Sequence, residues 1–147
     1  MPDRNADKNY NTNLASEYLV MSMLSRAGKE AYLSLGNKKG VDIIVKNKDD
    51  TIFIVEVKGV NKKTDDWIIS NSGKFPQAPN LLYALVSFDN EIQNINGSAV
   101  FWLIPSSKLA IQGQHKISKN NKTIFLSHKS IRENYAAYKN NFDALRM

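Results

Sequence analysis

The chain has 147 residues, 20 Lys and Arg against 14 Asp and Glu, a formal charge of +6 and no cysteine. That length is one domain, and a domain of about 150 residues hides roughly two-thirds of its unfolded surface, for which 42% hydrophobic residues supply the material. The missing cysteine excludes a disulfide framework, a thiolate metal cluster and a thiol nucleophile. The polar start and the lack of an apolar run near the roughly 18 residues of a membrane span point to a cytoplasmic protein with no membrane partner.

In chain order, residues 1–12 read as a flexible polar lead-in, followed by a single domain over 13–147. Leu14 to Lys29 predicts a helix capped by Asn13 or Thr12 and stopped at Gly28. Four short strand-like runs follow, Ala31 to Leu35, Val41 to Lys46, Thr51 to Lys58 and Trp67 to Ser70, bounded by turn residues and read as an antiparallel meander. Beyond a loop over 72–80, Leu81 to Phe88 and Ala99 to Ile104 have the composition of buried strands. Pro105 to Leu109 resembles a helix start and Lys116 to Leu126 suits a hairpin. Ser130 to Leu145 suits a final helix or two short ones, with Tyr135, Tyr138 and Phe142 at helical spacing for packing on the sheet. This order predicts an α+β (mixed α/β) domain, a central mixed β-sheet with an antiparallel meander, flanked by helices.

The positive charge is concentrated. No acidic residue lies between Glu91 and Glu133, an interval holding Lys108, Lys116, Lys119, Lys122, Lys129 and Arg132, and those six equal the whole net charge. A basic stretch of this kind is a footprint for a polyanion or a solvated surface. His115 and His128 stand apart, without ligand spacing, and read as surface or core residues.

Charged groups interrupt two apolar runs, at Asp42 and at Glu56 and Lys58. With a turn centred on 47–50, cross-strand partners sum to 97 or 98, which brings Asp42 opposite Val55 or Glu56. Alternation puts Asp42, Ile44, Ile52, Ile54, Glu56 and Lys58 on one face and Ile43, Val45, Phe53, Val55 and Val57 on the other. Both faces are apolar, so both are expected to be covered, and two adjacent half-buried carboxylates then require a cation. A hard ion, Mg²⁺ or Mn²⁺, matches oxygen donors that also admit phosphate oxygens. Lys58 is placed to hold a water or stabilise charge on phosphorus. On the first helix Glu17 falls on the apolar side, opposite Ser22, Arg26 and Lys29. It is there either to serve a site or to complement the helix dipole.

These residues, Glu17, Asp42 after Gly40-Val41, and Glu56-Val57-Lys58, resemble the PD-(D/E)XK superfamily of restriction-endonuclease-like nucleases over roughly residues 13–104, most like small stand-alone bacterial or resolvase-like members. The resemblance implies a Mg²⁺- or Mn²⁺-dependent endonuclease. In it Asp42 and Glu56 bind the metal, Glu17 completes the site, and Lys58 assists the metal-activated water that hydrolyses the phosphodiester. Val41 departs from the proline of the motif, and no helix is evident before Leu81 where the superfamily usually has one. The expected partner is nucleic acid, DNA favoured. Lys38, Lys39, Lys62, Lys63, Lys74, Lys116, Lys119 and Lys122 are candidate phosphate contacts, with Trp67 and Phe75 as possible stacking residues. A homodimer suits an enzyme acting on both strands. The alternatives are a catalytically silent module of the same fold that binds nucleic acid or protein, and a structural domain in which Glu56 and Lys58 form a local ion pair.

Overall fold

The computed structural model describes residues 4–34 and 41–146, with side chains from Asn9 onward. Helix α1 spans Arg4–Arg26. It therefore begins well before Asn13, inside the segment expected to be a flexible lead-in. Asn and Thr prefer caps, but here tertiary docking decides. Thr12, Ser16, Val20 and Leu24 form one buried i, i+4 ridge, and the Ser16 hydroxyl donates to the Thr12 carbonyl at 2.6 Å. Packing of this kind holds a helix that propensity alone would not. At the other end Gly28 adopts φ 74° and stops the helix.

The strands β1 (Glu30–Leu33), β2 (Ile43–Lys46) and β3 (Ile52–Val60) form an antiparallel meander. Facing residues of β2 and β3 sum to 98, as in Ile43 against Val55. Next in sequence is β4 (Trp67–Ser70), and it leaves the meander. Its partner is β8 (Ile124–Leu126), which also pairs with β7 (Lys116–Ile117) in a separate three-stranded sheet. The main sheet continues instead with β5 (Leu81–Phe88), parallel to β3, and β6 (Ala99–Pro105), antiparallel to β5. The result is an α+β fold built on a mixed five-stranded sheet of order β1-β2-β3-β5-β6. No helix intervenes between β3 and β5.

Helix α1 covers one face of that sheet. Val20 and Leu24 meet Ile43, Val45, Val55, Val57, Leu82, Ala84 and Leu103 in an aliphatic core closed by Ala144 and Leu145. The approach is close at Gly59, where an added Cβ would lie 1.9 Å from the Ser16 hydroxyl. On the opposite face the small sheet, α2 (Ser106–Leu109) and α3 (His128–Asn134) cover β5 and β6 through Trp67, Tyr83, Leu85, Trp102, Ile104, Leu126 and Ile131. The cover reaches the end of β3 at Val60 but stops short of β2 and the start of β3. Ile44 and Ile52 on that face are exposed, which corrects the expectation that these strands are sealed on both sides.

Tyr135, Tyr138 and Phe142 do pack on the sheet, but not from one continuous helix. The chain breaks after α3 into two short 3₁₀ turns, Ala136–Tyr138 and Asp143–Arg146, with Asn140 at positive φ between them. Asn140 clasps the outer edge of β6: its backbone N–H donates to the Phe101 carbonyl at 2.8 Å and its Oδ1 accepts from the Phe101 N–H at 3.1 Å. Lys139 adds a bridge to Trp102. No helix among the described residues is long and apolar enough to cross a membrane.

Candidate active site

The open part of the sheet holds the charged residues. Extending the β2–β3 register by one residue sets Asp42 across from Glu56. The Asp42 N–H bonds the Val55 carbonyl at 3.3 Å. The Asp42 carboxylate accepts the Val57 N–H at 2.7 Å, satisfying a β3 donor where β2 has ended. Lys58 lies on the same side as Glu56 by strand alternation, and its Nζ pairs with the Glu56 Oε1 at 2.9 Å. The Glu56 side chain is 12% exposed and the Lys58 side chain 28%. The pair is thus withdrawn from bulk water but reachable.

The electrostatics are those of a crowded anionic site. Burial raises the Asp42 carboxyl above the usual Asp range and the neighbouring Glu56 adds to the rise, against the Val57 N–H bond and the Lys58 ammonium. Burial also raises Glu17, and Asp42 raises it further. Glu17, half-buried on α1, is thus close enough to Asp42 for the two charges to act on each other. Lys58 does not neutralise the group: three carboxylates and one ammonium leave two negative charges. Among the described residues no three His, Asp or Glu side chains converge into a ready-made metal cage.

No protein-family model, curated protein or solved structure matches this chain. Its own geometry is what bears on function.

Tyr83 belongs to the site and was not foreseen. It faces Glu56 across the parallel β3–β5 pair. Its phenol, donating to the Pro76 carbonyl at 3.1 Å, is raised well beyond the usual range by burial and by the Glu56 carboxylate. Only the partner of β3 reveals this neighbour, and no local sequence signal specifies that partner.

The remaining candidates are dispersed. Lys62 and Lys63 are exposed on the loop after β3, and Lys62 lines a cleft that also reaches Lys58. Lys116, Lys119 and Lys122 are exposed on the β7–β8 hairpin. Lys74 is exposed next to Gly73, whose N–H bonds the Lys122 carbonyl at 2.8 Å, so these lysines share one basic edge. Lys38 and Lys39 lie outside the described residues. Trp67 is not a stacking platform. It is 1% exposed, its indole N–H bonds the Val86 carbonyl, and its ring stacks on His128 at 4.6 Å. Phe75 is half-buried against Tyr83 and His115.

Proposed function

We propose that the chain is a metal-dependent endonuclease of the PD-(D/E)XK type, acting on nucleic acid with DNA favoured. The observation that carries this reading is the anionic group on the sheet: Asp42 and Glu56 facing each other on adjacent strands with Lys58 against Glu56, and the Glu17 carboxyl near enough for the Asp42 charge to raise it. The donor set fits one hard divalent cation, since it offers carboxylate oxygens only and its residual charge is the charge of such an ion. Asp42 and Glu56 would hold Mg²⁺ or Mn²⁺, with Glu17 supporting it. The ion supplies a lowered water pKa and neutralises phosphate charge.

The chain's own groups do the rest. The Val57 N–H fixes the Asp42 carboxylate, and Glu56 orients the Lys58 ammonium, which is placed to stabilise charge developing on a phosphate oxygen. The basic edge of Lys74, Lys116, Lys119 and Lys122 is the phosphate-binding surface. A second copy supplies the other site where both strands of a duplex are cut.

The test is cleavage of supercoiled and single-stranded DNA with Mg²⁺ or Mn²⁺. Glu56→Ala and Lys58→Ala abolish cleavage, at least 10²-fold in rate, while DNA binding in chelator stays near wild type. Equal cleavage by wild type and both variants sinks the assignment. The closed Lys58–Glu56 ion pair favours a non-catalytic reading, a structural domain or a silent binding module of the same fold. Calorimetric titration with Mn²⁺ separates the two: the silent module takes up no ion that Asp42→Ala removes.

A further inference from the structure

Beside Lys58 opens a cleft of about 750 Å³ that the nuclease reading leaves unused. Its walls are Asn9 and Asn13 of α1, the end of β3 at Lys58, Lys62 and Asp65 of the following loop, and Ile68 of β4. It lies off the carboxyl end of β3, one of the two parallel strands. Its volume is that of a site for one small molecule, within roughly 300–1,000 Å³, and not that of a trough for a duplex.

Charge decides what enters. Among the described side chains the lining carries Lys58 and Lys62 against Asp65 and Asp66, and Lys58 is already paired with Glu56. A groove for phosphates is strongly basic, as the β7–β8 hairpin is, whereas this one is balanced or slightly acidic. It suits a neutral polar group. The amides of Asn9, Asn13 and Asn61 both donate and accept, the Asp65 carboxylate accepts only, and Ile68 offers an exposed apolar surface. Those are donors, an acceptor and an apolar contact of the kinds that the edge and face of a heterocyclic base use.

We infer that this cleft binds one unpaired nucleobase bearing an exocyclic amino group, next to the scissile phosphate, so that the substrate is single-stranded or locally opened nucleic acid. The assignment to a substrate nucleotide rests on the nuclease reading. The pairing of Asp65 with an amino group rests on the cleft itself, because an Asp carboxylate takes the N4 amino group of cytosine and has no donor to offer thymine at that position.

The experiment is fluorescence anisotropy of the full chain with short labelled homopolymers of deoxycytidine and of thymidine, in chelator, so that no cleavage enters. The cytosine strand is expected to bind about tenfold tighter than the thymine strand, the discrimination of one good base contact. Asp65→Ala is expected to remove that difference by weakening cytosine binding alone, and Asn13→Ala to weaken both strands severalfold. Equal wild-type affinities, equal loss with both strands in Asp65→Ala, or competition by duplex as effective as by single strand each overturn the inference. Failure of the two readings is distinguishable. Cleavage that persists unchanged in Asp65→Ala and Asn13→Ala removes the base site and leaves the nuclease, whereas base-selective binding by a protein that never cleaves does the reverse.

Discussion

The two faces of the five-stranded sheet are covered by different chemistry. Under α1 the packing is aliphatic side chains and phenylalanine, with Val20 and Leu24 seated on Ile43, Val45, Val55 and Leu103. Under the small sheet, two tryptophans, two tyrosines and a histidine bring polar atoms inside. Trp67 crosses Trp102 edge to face at 5.7 Å, and His128 Nε2 bonds Ser87 at 2.9 Å. Trp102 Nε1 and His128 Nδ1 are buried without a partner among the described residues. The first face is sealed along its length. The second is sealed over β5, β6 and the end of β3 but open over β2 and the start of β3, and Glu56 lies at the margin between the covered and the open part. A helix whose ridge matches the sheet gives a uniform cover, whereas a short second sheet leaves room for a site.

That contrast can be broken from either side. Trp67→Ala removes the largest anchor of the small sheet and is expected to cost about 3–5 kcal/mol, read by urea denaturation, with α1 and its face retained in the residual structure. A smaller effect is expected on the helical face. Gly59→Ala drives a methyl group into Ser16 and the Thr12 carbonyl, an overpacking cost of about 1–3 kcal/mol. The Ser16→Gly change in the same chain recovers part of it, and no recovery would show that α1 is not pinned there.

The smallest effects are in pH, and they have opposite signs. Burial, then Arg132, lower His128, against the opposing pull of its own backbone, Asp89 and Asp66. A histidine lowered in the folded state binds fewer protons there than in the unfolded chain, so stability falls as pH drops below about 6.5. Asp42 and Glu17 are raised, so the folded state holds their protons more tightly, and their strain is relieved as pH falls through their folded values. Melting temperatures from pH 7.5 to 4.5 are expected to show the loss flattened in His128→Gln and the acid-side gain removed in Asp42→Asn. Parallel curves for all three proteins would refute both assignments.

Local signals made the site's centre legible. The turn at 47–50 and a period of two were enough to set Asp42 against Glu56 and to place Lys58 on the same side, and helical phase turned Glu17 inward. What pairs at long range was not legible. Alternation marked Trp67–Ser70 as a strand but carries nothing about a partner more than fifty residues away, so β4 was assigned to the meander and belongs to the other sheet. The same limit hid Tyr83, which reaches Glu56 only because β3 and β5 run parallel. The start of α1 was misplaced because Asn11-Thr12-Asn13 is good cap chemistry that docking against Gly59 overrides. The aromatic tail kept its packing in short pieces, closer to the two short helices than to the single one, since Asn140 takes a left-handed turn to reach β6.

The clasp of Asn140 on Phe101 also bears on how the protein keeps to itself. β6 is an edge strand whose seven residues carry no charge, and a bare edge of that composition is a template on which another chain can add a strand. Asn140 occupies both Phe101 backbone groups at once and Lys139 stands over the Trp102 ring at 5.8 Å. The tail thus serves as a guard rail at the middle of that border: two hydrogen bonds and one ammonium interrupt the run of free backbone groups that an added strand would need.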